Sequence, residues 1–396
     1  MAREKERKAL RKGKAQFALI GKARLTDKTF NLDNTYGSGW TDNQMYLGVD
    51  CGNGNLVYAE MRGGFFPDDN NTLRGFSKSD KDDNGKRKMV EVDWEDRFDE
   101  DLLDTIDDFS FITVGVEKDV KEKTVYKKFL SAYDAVDYLN EHLEDGMVVN
   151  VKGNLKYSEY EGNISVQKEI TSIALSGAED ESSYKAKFTQ TILLDNKSIG
   201  KKDKEKGTIT LDGYVVDYVG SPKIDGEKVV VKQNVTFPKT FEVAVNEDDE
   251  AITLKMLQRY FKVSKKNTLN EITVVGDLIE GGSIVNITED DIPDDIKELI
   301  EMGLYSEEEA KAKCAVGNNN REKRMVIIKP DITYVGEDKK PTLALEEGKY
   351  EDTDLYFYEQ ALNDAGFNKE ETTEVPFDEA SETDEEDDLL AMLSEM

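Results

Sequence analysis

The sequence predicts a mainly β chain: two five-stranded barrels in tandem, a few short helices, and a disordered acidic C-terminal tail. Three observations predict it. Alternation of apolar and polar residues recurs between residues 17 and 335, the mark of strands with one buried and one wet face. A V-x-G-x-L stretch occurs twice, at Val151, Gly153 and Leu155 and at Val274, Gly276 and Leu278, each after a helical segment. The net charge of -31 is segregated: residues 341–396 hold 19 Asp and Glu against 2 Lys, and residues 91–108 hold 10 against one Arg. The other 322 residues carry only -5, so basic surfaces can exist on the body.

In chain order, residues 1–14 carry seven basic and two acidic residues and read as a flexible basic arm. The first unit, 15–176, starts with a strand in "FALIGKARL", a Gly-rich loop "GSGWTDNQ", and a hairpin over 45–61 turning at Gly52 to Asn55. An insertion near 67–108 is polar and loop-like over 67–88 and acidic over 91–108, and "FSFITVGVE" (109–117) reads as a strand. Helix 131–146 follows, with Ser131 as its cap, Ala132, Val136, Leu139 and Leu143 on one face, and Gly146 at its end. A hairpin then runs to about Leu175, with Val149, Val151, Leu155 and Tyr157 on one side and Tyr160, Gly162 and Asn163 at the turn. The second unit, 184–340, repeats the order: strands at 207–219 and 228–245, a helix at 249–263 with Leu254, Leu257 and Phe261 inward, then strands at 272–282 and 322–335. Between these last strands, 283–320 inserts two short helical patterns (within 291–314) and an Asn-rich loop. A short amphipathic segment (341–369) and the acidic tail (370–396) finish the chain.

Three strands, a helix and a hairpin is the order of the OB-fold. The glycine of V-x-G-x-L suits a strongly bent barrel strand. A small SH3-like barrel, or two unrelated β domains, is the alternative. With "VKGNLKYSEYEG", "VVGDL" and the ending "SETDEEDDLLAMLSEM", the chain resembles the single-stranded-DNA-binding proteins of bacteria and their phages. That resemblance implies a contact loop at Tyr157 to Asn163 and an acidic C-terminus that recruits replication partners. The chain departs from it in holding two such folds and in lacking a Pro-Phe terminus.

Binding single strands takes cations for phosphates and aromatic faces for bases. The first unit offers Lys22, Arg24, Lys152, Lys156 and Lys168 at wet strand positions, with Trp40, Tyr157 and Tyr160 as stacking candidates. The second offers Tyr214, Lys232, Lys239, and Arg321, Lys323 and Arg324 of "NNNREKR". From Glu370 onward there are twelve acids and no base, a composition that stays disordered. Leu389, Met392, Leu393 and Met396, with Leu390, would form one helical face for a partner groove.

Catalysis has little support. No P-loop stretch is present, the single histidine, His142, reads as a surface residue, and Cys51 and Cys314 make neither a metal site nor a disulfide framework. No cofactor is expected. No apolar run is long enough to span a membrane, so a soluble, cytoplasmic protein is expected, in the host cytoplasm if viral. The sequence therefore points to a non-enzymatic single-stranded-DNA-binding protein of replication, recombination or repair, with partners among helicase, primase, polymerase and recombinase. An interaction scaffold of a virion or replisome, or an RNA-binding OB protein, is the alternative.

Overall fold

In the first unit, β1 (Ala15–Arg24), β2 (Phe30–Thr35), β3 (Thr41–Asp50) and β4 (Leu56–Phe65) lead into an insertion. The insertion comprises β5 (Thr72–Lys81), β6 (Arg87–Asp93), the short α1 (Glu100–Leu103), β7 (Ile112–Lys118) and β8 (Thr124–Phe129). Then come α2 (Ala132–His142), β9 (Val148–Tyr160) and β10 (Asn163–Leu175). The computed structural model describes residues 7–281 and 322–367, apart from 69, 84, 161, 204–206, 225, 246–249 and 336–338, together with residues 292, 296, 297, 300 and 302.

The pairing closes a barrel. β1 pairs with β3, β3 with β4, β4 in parallel with β10, β10 with β9, and β9 back with β1. With α2 between its third and fourth strands, this is the five-stranded Greek-key order of the OB-fold. Ser131 Oγ accepts the Tyr133 amide at 3.1 Å to start α2, which buries Ala135, Val136 and Leu139 against the barrel.

The second unit contains β11 (Lys185–Leu194), β12 (Ile199–Asp203), β13 (Thr208–Val219), the small hairpin β14 (Lys223–Ile224) and β15 (Glu227–Lys228), and β16 (Gln233–Ala244). After α3 (Glu250–Met256), which runs into a π turn at Leu257–Phe261, come β17 (Thr268–Gly281) and β18 (Glu322–Pro330). The cycle β11-β13-β16-β18-β17-β11 repeats the first, again with the third and fifth strands parallel. The chain then forms β19 (Ile332–Val335), β20 (Lys340–Leu343), β21 (Leu345–Glu351) and α4 (Tyr358–Asp364).

The repeated glycines mark the same point in both barrels. A Cβ on Gly153 would lie 1.9 Å from the Glu169 carbonyl and 2.7 Å from the Phe17 ring; on Gly276 it would lie 2.2 Å from the Val326 carbonyl and 2.4 Å from Phe188. In each barrel the fourth strand passes so close to the fifth that only glycine fits, and a first-strand phenylalanine fills the space below. The barrels are joined through those first strands: β1 and β11 pair antiparallel with Phe17 opposite Phe188. One apolar cluster runs through both, from Leu19 and Leu155 to Phe237 and Phe241.

Several expectations are corrected. Residues 72–93 are not loop but a hairpin, because Leu73, Val90 and Val92 pack with Ile106 and Phe111 in a small core of their own. The acidic run is partly used in caps: Asp99 accepts the Leu102 amide at 3.1 Å, and Asp107 the Phe109 amide at 3.4 Å. Leu254 is exposed while Leu257 and Phe261 are buried, since the π turn shifts the helical face. Residues 7–14 are not a free arm. Leu10 is buried, Lys12 pairs with Asp217, Lys14 Nζ lies 2.7 Å from Asp331, and Arg7 sits 3.5 Å over the Tyr356 ring. His142 is half-buried, stacked on Tyr138 with ring centroids 4.1 Å apart. The helical patterns within 291–314 lie almost wholly, and the tail wholly, outside the described residues. Among the described residues no helix is long and apolar enough to cross a membrane.

Candidate nucleic-acid interface

In an OB barrel the face of the second and third strands, with the loops after strands one and four, takes oligonucleotides. In the first barrel that face is β3 and β4. Gln44, Tyr46, Tyr58, Glu60 and Arg62 alternate there with the buried Met45, Leu47, Val57, Ala59 and Met61. Tyr46 is 50% exposed and stacks on Tyr58, with centroids 5.1 Å apart and planes within 9°. Gly48, opposite Tyr58, makes this possible, because a Cβ there would meet the Tyr58 ring at 3.2 Å.

The loop after β1 ends at Trp40, whose ring edge meets Phe66 and whose Nε1 donates to Asp42 Oδ2 at 3.3 Å. Asp42 is fully buried and also accepts from Arg62 Nε at 2.5 Å and from Gln44. Burial alone would raise its pKa, but the bonds from Arg62, Gln44 and Trp40 hold it below the usual carboxylate range. This hub ties Arg62 to the face, with Tyr36 Oη 3.2 Å from its Nη2. The other end of the β9–β10 hairpin carries Tyr160, 69% exposed, beside Gly162 at φ 77°.

Most of the expected cations of the first barrel are already paired. Lys22 meets Glu181 at 2.9 Å, Arg24 meets Asp50 at 2.8 Å, and Lys156 is 3.9 Å from Glu169. These pairs are exposed to half-exposed and worth ~0–1 kcal/mol each, so a phosphate can compete for the cation. Lys152 is exposed and borders a cavity of about 340 Å³ over the β1–β11 seam, with Gln16 and Lys187. Lys152, Lys156 and Tyr160 share one face of β9, but eight residues at ~3.4 Å each set the first and last roughly 27 Å apart.

Two candidates are not on the surface at all. Tyr157 is buried; its amide donates to Asp217 Oδ2 at 3.0 Å, its hydroxyl to Gln190 Oε1 at 3.0 Å, and its ring packs on Phe237. Its parity with Val151 and Leu155 puts it inside, where it joins the two barrels. Lys168 is buried with the same parity as Val166 and Ile170, and its Nζ reaches Glu280 Oε1 at 2.5 Å.

In the second barrel, Tyr214 is half-buried and packs edge-on against Phe357, 5.8 Å away. Lys232 is exposed at φ 51°. Arg324 Nε donates to Glu242 at 2.9 Å. Lys168, Lys239, Lys323 and Arg324, from both units, line one cleft of about 280 Å³ between the barrels. Arg321, Leu389, Leu390, Met392, Leu393 and Met396 lie outside the described residues.

The reading of single residues missed Tyr46, Tyr58 and Arg62. The hairpin expected over 45–61 held the signal: a turn at Gly52 to Asn55 brings 46 opposite 60 and 48 opposite 58, on the wet side. The described residues contain no group of three His, Cys, Asp or Glu able to hold a metal ion. Cys51 is buried, which pushes its thiol up to about 12.

Fold and pairing define a mainly β protein of two fused OB-like barrels. A family model described as YorF matches residues 80–307, more than half of the chain, and the protein belongs to that family. The match starts inside the insertion of the first barrel and ends between β17 and β18 of the second. No curated protein matches. Among solved structures, the wild-type single-stranded DNA binding protein from Thermus aquaticus is similar at 10% identity and a TM-score of 0.29, over 82% of this chain and 96% of that one. A deletion mutant of it is similar at 11% identity and a TM-score of 0.27, over 68% of this chain and 88% of that one. The barrel topology rests on the strand pairing itself.

Proposed function

We propose that the protein binds single-stranded DNA without sequence preference, as a non-catalytic component of DNA replication or recombination. The observation that carries this reading is the stacked, solvent-facing Tyr46–Tyr58 pair on the oligonucleotide face of an OB barrel. Such ring faces stack on any base, and each stacked base contributes ~1–3 kcal/mol. Arg24, in an exchangeable ion pair with Asp50, and Arg62, anchored on Asp42, flank the pair, and Tyr160 stands at the hairpin tip. The acidic tail, with its apolar end at Leu389 to Met396, is read as the segment that recruits replication proteins.

The test is titration of the full chain with labelled oligo-dT, duplex DNA and RNA of equal length, followed by anisotropy at two salt concentrations. Tight, salt-sensitive binding of oligo-dT over duplex and RNA is expected. RNA preference selects an RNA-binding protein instead, and no binding to any of the three selects a protein scaffold.

A further inference from the structure

The cleft between the barrels is built by five strands, with Leu155 of β9 at its wall. β10 supplies Ile164, Val166 and Lys168, β16 Lys239, β17 Leu278 and Glu280, and β18 Lys323, Arg324 and Met325. Its charges are unequally satisfied. Lys168 is held by Glu280, both side chains nearly dry, and Arg324 is held by Glu242. Lys239 is half-buried and has no ion-pair or hydrogen-bond partner among the described residues, and neither has the exposed Lys323. Lys239 lines this cleft, and burial, then the charge of Lys168, lower its pKa. A half-buried ammonium with no anionic partner among the described residues carries a desolvation cost.

The cleft also connects to the stacking face. Glu280 Oε2 accepts the Tyr58 amide at 3.4 Å, while Asn55 donates to the Leu278 carbonyl at 2.8 Å and accepts the Glu280 amide at 2.8 Å. The residue that stacks on Tyr46 is therefore one hydrogen bond away from the carboxylate that anchors Lys168.

We propose that this inter-barrel cleft is an anion site, with Lys239 as its principal ligand and Lys323 at its mouth, which takes one phosphate of the bound strand where it passes between the barrels. This rests on the single-strand reading above. The pairs Lys168–Glu280 and Arg324–Glu242 serve as its walls, leaving two cations for one phosphate group.

The experiment compares the full-length protein with Lys239→Met and Lys239→Arg. Removing one phosphate contact flattens the dependence of log Kobs on log salt for oligo-dT by about 0.7, and Lys239→Arg should keep the parent slope. Circular dichroism and thermal unfolding should show the Met variant folded and no less stable, since an unpaired charge has been removed. Lysine acetylation read by mass spectrometry gives the second measurement: oligo-dT, and pyrophosphate alone, should slow modification of Lys239. An unchanged slope in Lys239→Met, or equal acetylation of Lys239 with oligo-dT bound, overturns the proposal while oligo-dT binding itself still stands. Pyrophosphate protection without any oligo-dT binding also overturns it, and shows a site for free phosphate; in that case the single-strand reading fails with it.

Discussion

The two barrels share a strand order, a glycine at the same crossing and a phenylalanine beneath it, yet they present opposite surfaces. The first leaves its second and third strands open, with Tyr46 exposed and stacked on the half-buried Tyr58. In the second, residues around Leu10 and around Tyr356 and Phe357 are laid over the same region. Phe357 packs on Tyr214 and bridges to Thr236, the Tyr356 carbonyl accepts the Thr236 amide at 2.8 Å, and Asn234 donates to the Leu10 carbonyl at 2.9 Å. β16 outruns its parallel partner β18, which meets it only around Glu242 and Val243, and the C-terminal segment closes that free edge. A repeated fold thus supplies two equivalent faces, and the rest of the chain determines which one stays available. The last loop differs too: a tight turn at Gly162 in the first barrel, and 40 residues between Gly281 and Glu322 in the second.

The largest expected effect comes from cutting the link that makes the barrels one body. Lys168→Met leaves Glu280 buried and unpaired and should cost about 3–5 kcal/mol in denaturant unfolding, while Lys168→Met with Glu280→Met should recover most of it. Equal losses in single and double variants would show that the pair contributes packing rather than charge. Next, Gly153→Ala and Gly276→Ala each force a Cβ against a carbonyl, and each should lose ~3 kcal/mol or more. A clear inequality between them would show that the second crossing has drifted from the first.

The functional contrast is tested by tyrosines. Tyr46→Ala and Tyr58→Ala should each weaken oligo-dT binding by ~1–3 kcal/mol without altering the salt slope. Tyr214→Ala should leave affinity nearly unchanged and lower stability instead, since it loses its contact with Phe357. Comparable affinity losses at all three positions would mean that both faces bind. Deleting residues 370–396 removes twelve acids and should tighten oligo-dT binding at low salt, fading as salt is raised. The smallest effect is the pH response of the first barrel. The depressed pKa of Asp42 contributes stability above the usual carboxylate range that disappears as pH falls through its folded value, and Asp42→Asn should flatten that acid limb of the unfolding curve.

Much of the frame was legible in the residues. Alternation located most barrel strands, Ser131 and the apolar repeat located α2, and V-x-G-x-L exposed the duplication, because strand parity and helical period are local properties. The hairpin at 72–93 was hidden by charge: its few apolar residues find partners only when Ile106 and Phe111 fold back on them. The candidate site was read less well. Lys168 reads as wet although its neighbours by parity are core residues, since a lysine looks solvent-bound until a buried carboxylate from another barrel is known to face it; Tyr157 reads as a stacking candidate although it shares the parity of Val151 and Leu155.

By itself, then, the sequence determined that the chain is mainly β, that it carries a glycine-marked barrel order twice, and that its acid is concentrated near its end. All of these depend on neighbours within a few positions. Tertiary structure alone decided that β1 and β11 weld the barrels, that the basic N-terminal residues are spent on Asp217 and Asp331, and that Lys239 has no described partner. Burial and ion pairing are set by residues tens to hundreds of positions apart, and no local pattern encodes which of them will meet.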